Sequence, residues 1–207
     1  MNQVAIITGA SSGIGEATAK RLARDGTRVT LAARRQDELE RVAREIQAAG
    51  GQALAVPTDV RDGVAIHHMV AVTLAQWGRV DVLVNNAGLV GLPASSVYAA
   101  TKAAVIIFSD SLRREVKGRG IHVTAFCPGF VATDFSPRLK KVAEGRPDAQ
   151  RLPGVMRVDY VADRMADTIR RPRRRVIIPP GWGLLVGVAE ALPWLTDMVL
   201  SRYKQDV

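Results

Sequence analysis

Short runs of β-branched and aliphatic residues alternate along this chain with longer stretches whose apolar positions recur every three or four residues. The first run, residues 4–8, predicts a strand, and residues 13–25 predict a helix that stops at Gly26. Residues 28–33 predict a second strand. The helix after it carries Leu39, Val42, Ala43 and Ile46 on one face and ends at Gly50 and Gly51. Residues 53–56 predict a third strand closed by Pro57, residues 63–77 a helix, and residues 80–84 a fourth strand. Strands alternating with helices in this way argue for βαβ units and a parallel sheet.

After residue 84 the alternation misses a unit. The chain passes through a loop into a helix over residues 96–116, with Val105, Phe108, Leu112 and Val116 predicted as its buried face. Residues 121–126 predict a strand stopped by Cys127, Pro128 and Gly129. Residues 135–152 are polar, contain Gly and Pro, and predict a loop or lid. A helix over residues 160–169 and a strand over residues 175–178 follow, the strand stopped by Pro179, Pro180 and Gly181. The tail, residues 184–203, is apolar and broken by Pro193. The uncharged stretch, residues 176–189, is too short to span a bilayer, for which about 20 apolar residues are needed, and it contains prolines and glycines, so the reading adopted is packing against the core or a subunit. Association with a membrane surface is kept as the alternative.

Composition narrows the class. At 207 residues the chain is expected to form a single domain, residues 1–207, with a substrate-loop and tail region at its C-terminal end. Its lone cysteine, Cys127, excludes an internal disulfide and reads as a buried structural thiol. With no signal peptide ahead of the first strand, a cytoplasmic location is expected. The formal charge of +9 is partly concentrated in Arg170, Arg171, Arg173, Arg174 and Arg175. No aromatic residue interleaves with that run and no helix-turn-helix is present, so nucleic acid is not an expected partner and a solvated loop is the reading taken. His67, His68 and His122 have no companions in sequence, so no metal site is expected.

The chemistry begins at Thr8, Gly9, Ala10, Ser11, Ser12, Gly13, Ile14 and Gly15, which follow a predicted strand and open a predicted helix. Backbone without side chains approaches a pyrophosphate closely, and a helix start offers N–H groups and the positive end of its dipole. The spacing, Gly-x-x-x-Gly-x-Gly, resembles the cofactor loop of short-chain dehydrogenases/reductases. Three further segments resemble that family in the same order: Asn85, Asn86, Ala87 and Gly88; Tyr98 followed by Lys102; and Pro128 and Gly129 with Val131 and Thr133. The fold implied is α/β, a Rossmann-type doubly wound parallel sheet, here shortened by about one strand–helix unit.

The resemblance implies an oxidoreductase that moves a hydride between a nicotinamide cofactor and a small carbonyl or alcohol substrate. The glycine loop, Asp59, Val60, Asn86, Ala87, Gly88, Pro128, Gly129, Val131 and Thr133 would hold the cofactor. An acidic residue at the end of the second strand would select NAD. That place is Ala33, followed by Arg34 and Arg35, whose guanidiniums suit a ribose 2′-phosphate and point to NADP(H). Tyr98 would be the general acid/base, and Lys102, four residues on and on the same helix face, would lower its pKa and hold the ribose.

The family places a serine thirteen residues before the tyrosine, and in this chain that position is Asn85. The missing unit, on the order of 30 residues or more, suggests an internal deletion that leaves Asn85 in the serine's place. Ser95 and Ser96 read as helix caps. Catalysis is then either retained through an amide donor or impaired, and a cofactor-binding protein without catalysis is the alternative function. A homo-oligomer is left open.

Overall fold

The computed structural model describes residues 3–84, 96–118, 122–133, 155–192, 194 and 198. In chain order these residues form β1 (Val4–Thr8), α1 (Gly13–Arg24), β2 (Arg28–Ala33), α2 (Gln36–Ala48), β3 (Ala53–Pro57), α3 (Gly63–Trp77), β4 (Val82–Val84), α4 (Ser96–Glu115), β5 (Ala125–Pro128), β6 (Phe130–Val131), β7 (Val155–Met156), α5 (Val158–Arg170), β8 (Arg175–Ile178) and α6 (Trp182–Ala191). The backbone divides into two compact units: residues 1–85 with 130–172, and residues 86–129 with 173–207.

In the first unit four parallel strands lie in the order β3-β2-β1-β4. The order runs outward from β1 to β3 and then jumps to the other side of β1, as doubly wound sheets do. Alternate residues point to opposite faces. Ala5, Ile7, Val29 and Leu31 pack against Ala19, Leu22 and Ala23 of α1 and against Leu39, Val42, Ala43 and Ile46 of α2, the apolar face expected of that helix. On the other face Ile6, Ala32 and Val56 meet Met69 of α3. The buried hydroxyls of Thr30 and Thr73 satisfy each other at 3.0 Å.

The two faces are not covered equally. Of α3 only Met69 and Thr73 are buried. Leu83 of β4, in register with the buried Ile6, is 52% exposed. A parallel sheet is normally covered on both faces, so the β4 end of the α3 side carries less cover than its sequence would lead one to expect.

α5 closes the first unit against α1. Val161, Ala162, Met165 and Ala166 are buried, Thr18 Oγ1 lies 3.5 Å from Met165 Sδ, and Arg21 and Arg170 pair with Asp163 and Asp25. A short parallel ladder of β6 with β7, absent from the sequence reading, also belongs to this unit. Between α1 and α2, Glu16 receives Arg41 and Lys20 while Lys20 and Arg41 also reach Glu45. Burial alone would raise the Glu16 pKa, but hydrogen bonds from Arg41 and Lys20 outweigh it and hold the carboxyl below its ordinary range.

In the second unit β5 pairs in parallel with β8, from Ala125 opposite Arg175 to Pro128 opposite Ile178. The strand expected over residues 121–126 therefore sits further along the chain. Cys127 and Pro128 belong to it because Gly129, rather than the proline, supplies the next N–H, to Ile178 O at 2.8 Å. Ile106 of α4 packs on Ala125 and Cys127. The buried face of α4 also differs from expectation, since Phe108 is 58% exposed. Ile106 and Asp110, one turn apart, face inward instead, because Asp110 accepts two hydrogen bonds from Arg174, at 2.9 and 2.7 Å. Three arginines of the basic run are thus bound to carboxylates: Arg170 by Asp25, and Arg174 and Arg175 by Asp110.

The tail forms α6, but core packing is not what the structure gives its described apolar side chains. Leu184, Val188, Leu192, Trp194 and Met198 are exposed. Among the described residues no helix is long and apolar enough to cross a membrane.

Candidate cofactor and catalytic site

β1 delivers the chain to the glycine loop. Thr8 Oγ1 donates to Val84 O at 3.1 Å, and the Ala10 N–H reaches Ala32 O at 3.3 Å, so the loop is anchored to the strands on both sides of β1. Gly9 and Gly13 have φ of 66° and 58°, the left-handed region that glycine adopts without strain. At Gly15 the requirement is space. A Cβ there would lie 2.3 Å from Gly9 O and 2.7 Å from Gly9 C, so α1 starts pressed against the loop backbone.

Ser12 is the N-cap residue of α1, yet its side chain makes no capping hydrogen bond. The helix start is therefore left without the side-chain oxygen that usually covers it. The hydroxyls of Ser11 and Ser12 instead accept from Arg35 Nη2, at 3.1 and 3.0 Å. A pyrophosphate fits such a cradle of uncapped backbone donors, and a cation is already stationed at its rim. Ile14 is half-buried in the first turn.

Thr133 stands over the same loop. Its Cγ2 is 3.4 Å from where a Cβ on Gly13 would be. Val131, in β6, is buried and pairs with Met156 of β7. Of the segment predicted to hold the nicotinamide end, Val131 and Thr133 lie in the first unit, and Thr133 returns to the glycine loop.

At the end of β2, Ala33 accepts from the Thr58 N–H at 2.8 Å, which brings the end of β3 alongside. Arg34 and Arg35 are exposed. Asp59 is held down to about 2 from its ordinary 3.8, chiefly by hydrogen bonds from the Arg61 side chain and backbone, with the charge of Arg34 adding to them. Val60 is exposed beside it. Loop, arginines and Asp59 all occur at the carboxyl ends of consecutive strands, where ligands bind in open α/β sheets.

Tyr98 and Lys102 lie on α4, four residues apart and so on one side of the helix. Their side chains lie outside the described residues, as do Asn85, Asn86, Ala87 and Gly88. Pro128 ends β5, and Gly129 follows it under the Trp182 ring, which would sit 2.9 Å from a Cβ at that position. Trp182 escaped the sequence reading because nothing in its neighbourhood marks it as a partner of Pro128 and Gly129. Cys127 is buried, and burial pushes its thiol up to about 11, which fits an inert structural side chain. Among the described residues no group of three or more His, Cys, Asp or Glu is placed to hold a metal ion.

Strand order, glycine loop and the chemistry at the strand ends define a dinucleotide-binding α/β protein. The short chain dehydrogenase family model matches residues 3–95 and 88–143, and the chain belongs to that family. A 3-oxoacyl-(acyl-carrier-protein) reductase of Synechocystis sp. is 31% identical over 191 residues, covering 66% of this chain and 77% of the relative. Among solved structures, a short chain dehydrogenase from Burkholderia cenocepacia in complex with NADP superposes with a TM-score of 0.73 at 26% identity, covering 86% of this chain and 97% of that one. An actinorhodin polyketide ketoreductase with NADPH gives 0.73 at 25% identity, over 88% and 97%.

Two features of these matches bear on the expected deletion. The two matched segments of the family model overlap at residues 88–95. The alignment to the Synechocystis reductase is also longer than the share of this chain it covers, so several tens of the relative's residues have no counterpart here.

Proposed function

We propose that this chain is an NADP(H)-dependent oxidoreductase acting on a small carbonyl or alcohol substrate. The observation that carries the reading is Arg35, bonded to Ser11 and Ser12 at the rim of an uncapped helix start. A carboxylate at the end of β2 would repel a 2′-phosphate, whereas a guanidinium gives it charge-assisted hydrogen bonds. The NADP- and NADPH-bound relatives support the same choice. The bound cofactor supplies or takes up the hydride.

The chain's own residues supply the proton and the grip. Gly9 to Gly15 hold the pyrophosphate with backbone donors, Arg34 and Arg35 take the 2′-phosphate, and Asp59 and Val60 border the adenine. The Tyr98 hydroxyl gives a proton to the carbonyl oxygen in reduction and takes one from the alcohol in oxidation. A free phenol has a pKa of about 10, too high for base work near neutrality. The Lys102 ammonium favours the phenolate and lowers that value. The Asn85 amide takes the place of the family's serine as donor to the reacting oxygen. In sites of this kind one donor is worth about 2.7–4 kcal/mol, so a poorly placed amide slows turnover without abolishing it.

An internal deletion accounts for the overlapping family matches, the relative's unmatched residues, and the exposed Leu83. It removes one crossover and joins two similar Ala-Gly junctions. The same observations favour a second reading, a protein that binds the cofactor and does not turn over. Consumption of NADPH against ketones, aldehydes and a 3-oxoacyl thioester decides between them, with Tyr98→Phe as control. Turnover lost in the variant supports the enzyme. NADPH binding without turnover on any substrate supports the second reading, and equal rates in both proteins remove Tyr98 from the mechanism.

A further inference from the structure

We propose that the second unit docks on the surface of an anionic lipid bilayer through α6 and the cations around Asp110. Leu184 and Val188 are four residues apart on α6, and Leu192, its C-cap, continues the line by another turn. All three are exposed, Leu184 by 76%, and Trp194 just beyond is 63% exposed. An aliphatic stripe with a tryptophan at its end is the chemistry of an interfacial helix, which buries its apolar face at the headgroup boundary. Among the described residues no helix is long and apolar enough to cross a bilayer.

Charge complementarity selects the lipid. Arg174, Arg113 and Arg175 approach the single carboxylate of Asp110 at 2.7, 3.8 and 4.0 Å, which leaves a cationic excess. Arg114 and Lys117 at the end of α4 and Arg173 before β8 are exposed and add to it. β8 is four residues long, about 13 Å at roughly 3.3 Å per residue. One short strand therefore separates the cations before it from the apolar helix after it, and in the proposed docking both meet the bilayer. A second copy would meet the stripe with the same cations and no described acidic patch to receive them. Anionic headgroups satisfy the cations while the acyl boundary takes the stripe.

Flotation of the full chain tests this, using vesicles of phosphatidylcholine alone and of phosphatidylcholine with phosphatidylglycerol. The chain should float with the anionic vesicles, release with added salt, and show a blue shift of emission that Trp194→Phe removes. Leu184→Asp with Leu192→Asp should lower binding at least about tenfold, the scale of burying an aliphatic side chain. Arg114→Glu with Arg173→Glu should lower it about fivefold or more per charge on anionic vesicles only. NADPH binding, measured on every variant, reports folding. Three results overturn the proposal: no flotation at either composition, equal flotation of the apolar variant, or variants that change only the mass of the chain in sedimentation.

Discussion

In the unit that carries the glycine loop, β1 and β2 are flanked by strands on both sides, and Val4, Ala5, Ile7, Val29 and Leu31 are fully buried. In the unit that carries α4, the ladder is two strands of four residues, Phe108 and Ile107 of the helix are exposed, and α6 leaves its stripe open. The phosphate and adenine contacts proposed for the first unit sit at the ends of β1, β2 and β3, whose connections are α1 and α2. A sheet assembled from consecutive βαβ units keeps that chemistry even if a later crossover is lost. The chemistry proposed for the second unit hangs on one helix, which packs through Ile106 and the Asp110–Arg174 pair. Nucleotide binding and catalysis should therefore fail independently.

The sharpest way to break this comparison is to remove the proposed acid/base in the second unit and ask whether the first notices. Tyr98→Phe should lower turnover about 10²–10⁴-fold, the range for general acid–base groups, with NADPH affinity within a few-fold of the parent. A parallel loss of affinity would mean the two functions are not separable in this way.

Gly15→Ala attacks the other half. Its Cβ would meet the Gly9 carbonyl at 2.3 Å, so the loop must shift, with a destabilisation of about 1–3 kcal/mol typical of overpacking. Cofactor binding should fall with it, as read by calorimetry and by the urea midpoint. Unchanged values in both would show that the loop is not held as described.

Arg35→Ala should weaken NADPH by about tenfold or more, since hydrogen bonds to charged groups contribute roughly 1.5–3 kcal/mol, while leaving NADH nearly unaffected. Equal weakening of both cofactors would place Arg35 outside the 2′-phosphate contact.

The smallest effect is expected in acid. Arg174 hydrogen bonds, outweighing burial, hold Asp110 at about 2 against an ordinary 3.8, with Arg113 and Arg175 adding charge. The folded value is depressed, so its stabilisation is complete above 3.8 and is lost as pH falls towards 2. Asp110→Asn should remove that share of the acid-limb slope in urea denaturation between those values. A slope identical to the parent's would mean that the pair does not anchor α4.

The sequence made the first unit nearly transparent. Val4–Thr8, Arg28–Ala33, Gly63–Trp77 and the buried face of α2 are where the periodicity put them, because each packs against its neighbours in sequence. It misled where distant partners decide. β5 runs through Pro128 because β8 and the Gly129 N–H extend the ladder, and Asp110 faces inward because an arginine 64 residues away claims it. The β6–β7 ladder escaped notice because two-residue strands have no period to read. The glycine loop was legible as a turn because bare backbone is needed where φ is positive at Gly9 and Gly13 and where Gly15 presses on Gly9. Trp182 over Gly129 was not, as a lone aromatic gives no sign of what it will cover.

The account rests on the glycine loop gripping a dinucleotide that carries a 2′-phosphate. Calorimetric titration of the full chain with NADPH and, in parallel, with NADH measures that grip without any assumption about substrate. The account predicts one site per chain and NADPH at least about tenfold tighter, the discrimination expected of a charge-assisted contact. Equal affinities, or no heat from either nucleotide, would contradict it.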